Sequence, residues 1–418
     1  MPKSYLSDEP AAQRAKLLNF DPRLQIENRL EQLVATGHTT NKIELIVIGG
    51  TFSNYPEEYK REFFKGMFDA VNGANSATLE EAQVANESAP RRIVSISIET
   101  RPDWIDRKEV RLLRELGVTK LQVGVQAFDE TILKRIKRGH GLKEVEDATR
   151  LLRDSGFKIC YHFMPNLPGS TPELDLAMAR LMYEDPRFKP DFVKIYPAQV
   201  IPRTQLYREW KRGEFKTYSD RIMINLLKQI KLATPSWVRI DRLVRDISKK
   251  WVASGTHHSN MRQMIQDELK KEGKSCQCIR CREIKGRQFQ ENPKLVDRKI
   301  ETVGGVEHFI SFERENHLYS LLRLRLPYGE LEPIFPELKG AALVREIHTF
   351  GVPVPVDGRD LTKTQHQGLG KKLLARAAKI AKDHGFRKLA VISAVGTRNY
   401  YRKLGFALEG LYMTKQLE

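Results

Sequence analysis

The sequence predicts an α/β protein with a partial TIM-type barrel, a basic linker with a candidate metal site, and a second, smaller α/β domain. Apolar strands and helices alternate about every 30 residues through the first part of the chain. Three cysteines then fall within a segment of six residues, and the last part carries two glycines between a strand and a helix. We therefore expect domains at residues 1–240, 241–295 and 296–418.

Length and composition set the limits of this interpretation. A chain of 418 residues suits two or three domains, and 40% hydrophobic with 30% charged residues is typical of a globular protein. No apolar run reaches membrane-spanning length, and Met1 precedes Pro-Lys-Ser-Tyr rather than a signal peptide, so a cytoplasmic protein is expected. The net charge of +18 favours RNA or DNA as a partner, although a solvated basic surface would have the same charge.

The barrel is predicted from buried strands that end in polar residues or glycines. Strands are expected at 42–50, 92–98, 120–125, 158–164 and 192–196, with helices at 21–36, 59–71, 107–116, 129–137, 143–155 and 172–183. Residues 73–91 are predicted to be a connection. Six or so units are too few for eight strands. The strand ends predict one mouth, formed by Gly49, Gly50, Glu99, Arg101, Gln126, Met164, Pro165 and Lys194.

The linker contains a basic segment followed by clustered cysteines. Residues 237–252 interleave five arginines and lysines with apolar residues, which suits a polyanion. After a helix at 261–271, Cys276, Cys278 and Cys281 have the C-x-C-x-x-C spacing of thiolate ligands for tetrahedral zinc, with His258 or His257 as the fourth ligand. The alternative is three ordinary cysteines beside a basic loop.

The last domain is organised around Gln365-His-Gln-Gly-Leu-Gly-Lys371. A hairpin at 303–313 and 318–325 and a strand at 342–350 precede it, and a helix at 373–381 and a strand at 388–393 follow. Two glycines before a helix let backbone N–H groups and the helix N-terminus cradle a pyrophosphate, although simple turn chemistry gives the same pattern. Asn399-Tyr400-Tyr401-Arg-Lys-Leu-Gly-Phe406 comes next, and either tyrosine could be a core aromatic.

The order of strand, glycine loop, helix, strand and Tyr-x-x-x-Gly-Phe resembles the core of a GNAT-type acetyltransferase. Nearly the whole chain resembles the catalytic subunit of the Elongator complex, in which a radical S-adenosylmethionine (SAM) barrel is fused to such a domain. The matching stretches include Val47-Ile-Gly-Gly-Thr-Phe, Ile98-Glu-Thr-Arg-Pro-Asp, Arg138-Gly-His, Lys194-Ile-Tyr-Pro and Asp241-Arg-Leu-Val-Arg-Asp. The resemblance implies a tRNA acyltransferase that builds 5-carboxymethyl modifications on the wobble uridine, with acetyl-CoA, SAM and a [4Fe–4S] cluster.

The resemblance also implies roles for individual residues. The strand Glu346-Ile347-His348-Thr349 would line the CoA arm, and Leu369-Gly370-Lys371 would hold the pyrophosphate. Tyr401 would face the departing thiol, which needs a proton donor. Glu346 or His348 would orient a hydrolytic water, unless both are structural. Lys42 would contact acetyl-CoA from the barrel, where the residues alone indicate only a solvated charge.

One departure from the family pattern concerns the cluster. The family holds its [4Fe–4S] cluster on a cysteine triad just before the Pro-Lys-Ser-Tyr region, and none of the four cysteines here has that spacing. We therefore expect an N-terminally truncated chain or a natural variant that does not cleave SAM reductively, because three thiolates are needed to hold the cluster.

Two other functions remain open from the sequence. The acetyltransferase core alone permits a protein lysine acetyltransferase of the histone type. A tRNA-binding scaffold that has lost catalysis together with its cluster is the third interpretation. Whether the chain forms a homodimer, which tRNA it binds and which metal it holds are also left open.

Overall fold

The computed structural model describes residues 5–245, 247–256, 258, 260–285, 292–351 and 368–418. Two sheets organise this part of the chain, one of six strands and one of seven. In the described residues, no helix is both long and apolar enough to cross a membrane.

The first sheet is the predicted partial barrel. Its strands lie side by side in sequence order, and every neighbouring pair is parallel. They are β1 (Lys42–Val47), β2 (Arg92–Thr100), β3 (Lys120–Gln126), β4 (Lys158–Phe163), β5 (Phe192–Ile195) and β6 (Arg239–Leu243). Six strands confirm the expectation of an incomplete barrel. The predicted boundary at residue 240 falls inside β6, so the barrel extends past it.

Ten helices accompany this sheet in the described residues. They are α1 (Pro10–Leu17), α2 (Pro22–Ala35), α3 (Glu57–Asn72), α4 (Leu79–Asn86), α5 (Arg107–Glu115), α6 (Glu130–Arg135), α7 (Leu142–Asp154), α8 (Pro172–Glu184), α9 (Gln205–Lys211) and α10 (Asp220–Ala233). The prediction of a mere connection at 73–91 is wrong because α4 lies there. Thr78 caps it by accepting a hydrogen bond from the Glu81 amide, while the Glu81 carboxylate accepts one from the Ala77 amide.

The linker contributes α11 (Met261–Lys271) and α12 (Ile279–Arg282). The second sheet then contains β7 (Lys294–Thr302), β8 (Gly305–Arg314), β9 (His317–Pro327), β10 (Ala341–Thr349), β11 (Lys388–Val391), β12 (Ala407–Glu409) and β13 (Tyr412–Gln416). Only the β10–β11 pair is parallel among its described pairs. The apolar face of α13 (Leu369–Asp383) packs on this sheet, and α14 (Arg398–Arg402) follows β11.

The two sheets are joined by buried ion pairs. The Arg345 guanidinium on β10 lies 3.0 Å from an Asp191 carboxylate oxygen and 2.6 Å from a Glu307 oxygen, and it donates to the Phe157 carbonyl at 2.6 Å. Arg345 is 1% exposed, so its charge is balanced only by these partners. Arg153 on α7 adds a pair with Glu307 at 3.0 Å. This network holds β10 against the start of β4, which positions the site described below.

Candidate functional site

The first part of the site is the splayed half of β10, which is the half that no longer pairs with β11. β11 pairs only with Ala341–Val344, whereas β10 continues along β9 as far as Thr349. A register shift lies between Val344 and Glu346, where the two strands part. The predicted residues Glu346, Ile347, His348 and Thr349 therefore lie beyond the end of the parallel pairing. A strand edge of this kind can hydrogen-bond an extended ligand through its backbone.

The N-terminus of α13 lies beside this strand. Gly368 at the N-cap has a left-handed φ of 69°, a conformation that glycine adopts without strain. At Gly370, a Cβ atom would lie 2.8 Å from the Tyr400 hydroxyl and 3.7 Å from Ile347, so a side chain would not fit without movement. Leu369 is buried and Lys371 is exposed. A helix N-terminus with a neighbouring lysine suits an anion such as a pyrophosphate. Gln365, His366 and Gln367 lie outside the described residues.

The two tyrosines of α14 differ in environment. Tyr401 is 5% exposed and packs on Phe406 and Tyr400, with ring centroids 5.8 and 5.2 Å apart. Burial raises the pKa of its hydroxyl well above the usual value, so the group stays protonated and can serve as a donor. Tyr400 is 41% exposed and reaches the α13 N-terminus. Tyr401 is thus both a core aromatic and a candidate acid, and only Tyr400 faces the helix start.

Glu346 and His348 differ in their charge at neutral pH. Burial would raise the pKa of the Glu346 carboxyl, but Arg323, which donates to it at 2.8 Å, and nearby Lys158 outweigh burial and keep the pKa below its usual value. The His348 side chain is exposed to solvent, yet the protein around it lowers the pKa of its imidazole, although Glu346 and Glu44 oppose this. At neutral pH the pair is therefore an ionised carboxylate and a neutral imidazole, which can accept a proton from water.

The barrel supplies the opposite side of the site through the first residues of its strands. Glu44 on β1, Lys158 on β4 and Arg239 on β6 all lie within electrostatic reach of His348. Lys42 begins β1 on the same edge and is exposed, and desolvation lowers the pKa of its ammonium. This arrangement agrees with the idea that Lys42 and the splayed strand share a cleft between the domains, while contact with acetyl-CoA stays a prediction.

The predicted mouth lies at the other end of the barrel. Glu99 accepts hydrogen bonds from the Tyr5 hydroxyl at 2.7 Å and from the Gly49 and Gly50 amides at 3.4 Å. Lys194 lies 4.0 Å from the same carboxylate. Four of the predicted strand-end residues, Gly49, Gly50, Glu99 and Lys194, therefore lie together, and the rest of the predicted mouth stays a prediction.

The linker cysteines form one group. The sulfur atoms of Cys276, Cys278 and Cys281 lie within 4.8 Å of one another. Lys231 and Gln266 donate to the Cys281 sulfur at 3.6 and 3.7 Å. Hydrogen bonds from the other two thiols, together with Lys231, hold the pKa of Cys281 well below its usual value. The donor set fits a thiolate-bound metal, since a buried ammonium balances the negative charge of three thiolates.

The predicted fourth ligand, His258, does not join these sulfurs. Its Nε2 atom lies 3.0 Å from an Asp220 carboxylate oxygen, and in the described residues the ligand group contains the three cysteines alone. His257 lies outside the described residues. The fourth cysteine, Cys160, is fully buried in the barrel, where burial raises the pKa of its thiol to about 12. That thiol is therefore protonated and unreactive at neutral pH.

The basic segment at 237–252 is mostly engaged inside the protein. Arg239 donates to Glu283, Arg245 pairs with Glu9 at 2.6 Å, and Lys250 lies 2.9 Å from Asp8. Since these cations already have carboxylate partners, the segment offers less free charge to a polyanion than its composition suggests.

Several site residues escaped the sequence interpretation. Arg323 on β9 and Arg345 on β10 are charged residues, a type that is usually exposed. Both are only 1% exposed, which is as low as the exposure of the apolar core. Lys158 reads as a strand-leading charge. Their partners are far away in sequence, and the pattern of residues around each position does not predict such distant pairs. The sequence leaves open whether Tyr400 is a core aromatic, and its contact with the start of α13 is not predicted by the pattern.

Comparison with known proteins gives three family matches. Residues 14–182 match the Radical SAM superfamily, residues 190–271 match the Radical_SAM C-terminal domain, and residues 303–406 match the Acetyltransferase (GNAT) family. These matches confirm the predicted combination of a radical SAM barrel with a GNAT-type domain.

Relatives match over the whole chain. The chain is 43% identical to a tRNA uridine(34) acetyltransferase of Methanocaldococcus jannaschii, an alignment that covers 100% of this chain and 79% of the relative. It is 41% identical to Elongator complex protein 3 of Homo sapiens, covering 100% of this chain and 77% of that protein. A solved structure of Methanocaldococcus infernus Elp3 with an N-terminus deletion (1-46) has a TM-score of 0.91 at 42% identity, over 96% of this chain and 97% of the other.

Proposed function

The chain belongs to the family of the tRNA uridine(34) acetyltransferases and Elongator complex protein 3, and on this premise we propose how its two domains act on acetyl-CoA and tRNA together. The enzyme uses acetyl-CoA to modify uridine 34 of a tRNA towards a 5-carboxymethyl product. The observation that carries this proposal is the position of Glu346 and His348. Both lie on the acetyltransferase domain but are tuned by charges of the barrel.

Acetyl-CoA binds along the second domain. The splayed half of β10 takes the extended arm through its backbone, at Ile347 and Thr349, and the start of α13 takes the pyrophosphate at Gly370 and Lys371. Lys42 closes the site from the barrel. A protein lysine acetyltransferase needs an open groove for a peptide beside the acyl group, whereas here the barrel occupies that side.

The acyl step requires a base and an acid. Glu346, ionised through Arg323, accepts a proton from the attacking water directly or through His348. Tyr401, which its raised pKa keeps protonated, donates a hydrogen bond to the departing CoA sulfur, and the base returns its proton to that sulfur. The base of uridine 34 must leave the stack to reach an enclosed site, because its ring carbon is shielded in stacked RNA.

The radical SAM family uses SAM bound to a [4Fe–4S] cluster, which supplies a carbon-centred radical. The residues of this sequence do not fit the cluster at the barrel mouth: three of its four cysteines belong to the linker group, and Cys160 is buried inside the barrel. The Glu99, Gly49 and Gly50 arrangement remains the candidate surface for SAM.

The linker cysteines hold a structural zinc ion. The donor set supports this, with three sulfurs and a buried lysine. Position supports it as well: the Ile279 amide donates to the Val238 carbonyl, and Arg280 donates to the Asp241 carbonyl at 2.7 Å. Val238 directly precedes β6 and Asp241 lies in the middle of it, so both acceptors lie away from the barrel mouth. A metal here would fix the linker to the barrel.

A pair of tRNA transcripts tests the proposed function. The two would differ only at position 34, with uridine in one and cytidine in the other, and both would be supplied with acetyl-CoA. We expect both to bind, because phosphate contacts dominate affinity, but only the uridine transcript should accelerate the release of free CoA. Acetylation of a basic peptide, with the same CoA release in the presence of either transcript, would instead favour the lysine acetyltransferase.

A further inference from the structure

Lys158, the first residue of β4, is fixed at the boundary of the two domains. Its neighbours on both sides are tied to β10: the Phe157 carbonyl accepts a hydrogen bond from Arg345 at 2.6 Å, and the Ile159 amide donates to Asp191 at 2.8 Å. Asp191 in turn binds Arg345, the residue before Glu346. The backbone around Lys158 therefore has a defined position beside the splayed strand.

The Lys158 side chain faces the inside of the barrel. It pairs in register with Lys120 on β3, and side chains of paired residues in a parallel ladder share a face. Lys120 is held by Asp241 at 2.6 Å and lies 3.6 Å from the centroid of the Phe192 ring. Two lysines therefore line the barrel interior at the beginning of its strands, and Asp241 balances the charge of one of them, Lys120.

The other half-buried or buried lysines of the barrel have defined partners. Lys60 lies 2.8 Å from Glu109, Lys120 binds Asp241, and Lys194 donates to Gln122. Lys158 is half-buried too, yet within the described ranges it makes no hydrogen bond or ion pair. It acts electrostatically on Glu346 and His348 without contacting either closely enough to pair. An ammonium kept partly out of water and without a partner is suited to bind a polar group of a substrate.

We propose that the Lys158 ammonium binds the carbonyl oxygen of the acetyl thioester and stabilises the negative charge that forms on it when water attacks. The proposal rests on the acyl step of the proposed function. Two observations favour the carbonyl over a tRNA phosphate: the lysine is half-buried within electrostatic reach of Glu346 and His348, and the start of its strand is tied by a hydrogen bond to Arg345, the residue before Glu346.

The step balances without a further reactant. Water attacks the acetyl carbonyl carbon, and its proton passes to Glu346 or His348. The oxygen becomes an oxyanion paired with Lys158. The C–S bond then breaks, the protonated base returns its proton to the sulfur, to which Tyr401 donates a hydrogen bond, and CoA is released together with acetic acid, which ionises to acetate. The barrel thus contributes directly to acyl transfer, which gives a chemical reason for the fixed contact between the domains.

The test compares Lys158→Met and Lys158→Arg with the wild type, using saturating acetyl-CoA and following free CoA with and without tRNA. Removal of one oxyanion donor lowers kcat by about 100-fold, so we expect a loss of that size in Lys158→Met, with KM for acetyl-CoA changed by less than about threefold. Lys158→Arg keeps the charge and should recover part of the rate. Lys143→Met, at an exposed lysine of α7, is the matched loss of charge and should keep the wild-type rate.

Several outcomes would overturn the proposal. One is a Lys158→Met kcat within threefold of the wild type. Another is a loss that disappears when tRNA is raised, which would assign Lys158 to tRNA binding. If Lys158→Met does not fold, the rate of CoA release by Lys158→Arg is the test. A rate equal to that of uncatalysed hydrolysis would contradict a role for the positive charge. A wild type that releases CoA equally with and without tRNA refutes the proposed function, while the comparison of variants still stands.

Discussion

Arg345→Met should be the most destabilising single change at the contact between the domains. Arg345 is fully enclosed and neutralises Asp191 and Glu307 at once, while also donating to the Phe157 carbonyl. Methionine fills much of the same volume but leaves two carboxylates facing each other in a buried site. Removing one partner of a buried ion pair costs about 3–5 kcal/mol, and the lost contacts to two acids place this change at the upper end of that range.

The pH dependence separates this explanation from a simple packing defect. In the wild type, burial would raise the pKa of Asp191 and Glu307, but the surrounding arginines hold both below their usual values. Their contribution to stability is therefore present above the unfolded-state pKa, near 4, and is lost as pH falls through the lower folded values. Without Arg345, Asp191 keeps Arg323 at 3.4 Å and Glu307 keeps Arg153 at 3.0 Å, and the loss of the shared third cation should raise the pKa of both acids. The variant should therefore recover stability as pH falls from 7 to 5, where the wild type changes little.

The assay is urea unfolding followed by circular dichroism at pH 7 and pH 5. Arg376→Met is the control, because that arginine is partly exposed and lies 3.5 Å from Asp297, so its loss should cost less than about 1 kcal/mol. A multidomain chain need not unfold in one step, so the midpoint of the first transition is the quantity compared. A midpoint for Arg345→Met equal to that of the control, or a loss independent of pH, would refute the role of the ion network.

Four further experiments test the site and the linker cysteines. Glu346→Gln should lower the rate of CoA release by about 100-fold or more, because the water loses its base; an unchanged rate would remove Glu346 from the chemistry. The rate of the wild type should rise with pH below about 6.5 and then level off, because the lowered pKa of His348 leaves the imidazole neutral by pH 7. Gly370→Ala should raise KM for acetyl-CoA, and adding Tyr400→Phe should restore it in part, because the Cβ would meet the Tyr400 hydroxyl at 2.8 Å. Cys278→Ser should lower the zinc content measured by atomic emission and the melting temperature together, and normal zinc content would exclude Cys278 as a ligand.

Most of the framework could be predicted from the sequence because it rests on local patterns. Apolar runs of strand length at intervals of about 30 residues predict β1 to β5, and the glycine pair predicts the start of α13. Helix α4 was missed although the Thr78 side chain caps its N-terminus, since the surrounding alanines and asparagines resemble a loop. Strand β6 was missed because its alternating arginines and aspartate read as a surface segment.

The charged contact between the domains could not be predicted in the same way. Arg345 meets Asp191 across 154 positions, and Arg323 meets the Trp237 carbonyl across 86. A pattern of one strand shows that such an arginine is flanked by apolar residues but not which acid balances it. Lys158 could not be predicted for the same reason. Its role depends on Glu346 and His348 in the other domain and not on its own neighbours in sequence.

The most direct test of the central claim is CoA release by the purified protein with and without tRNA, with Tyr401→Phe and Lys42→Ala alongside. We predict that tRNA accelerates the release of CoA and that both substitutions remove the acceleration, because the thioester is cleaved in a site built from both domains. Release that tRNA does not change, combined with transfer of the acetyl group to a basic peptide, would contradict a tRNA-directed acyltransferase.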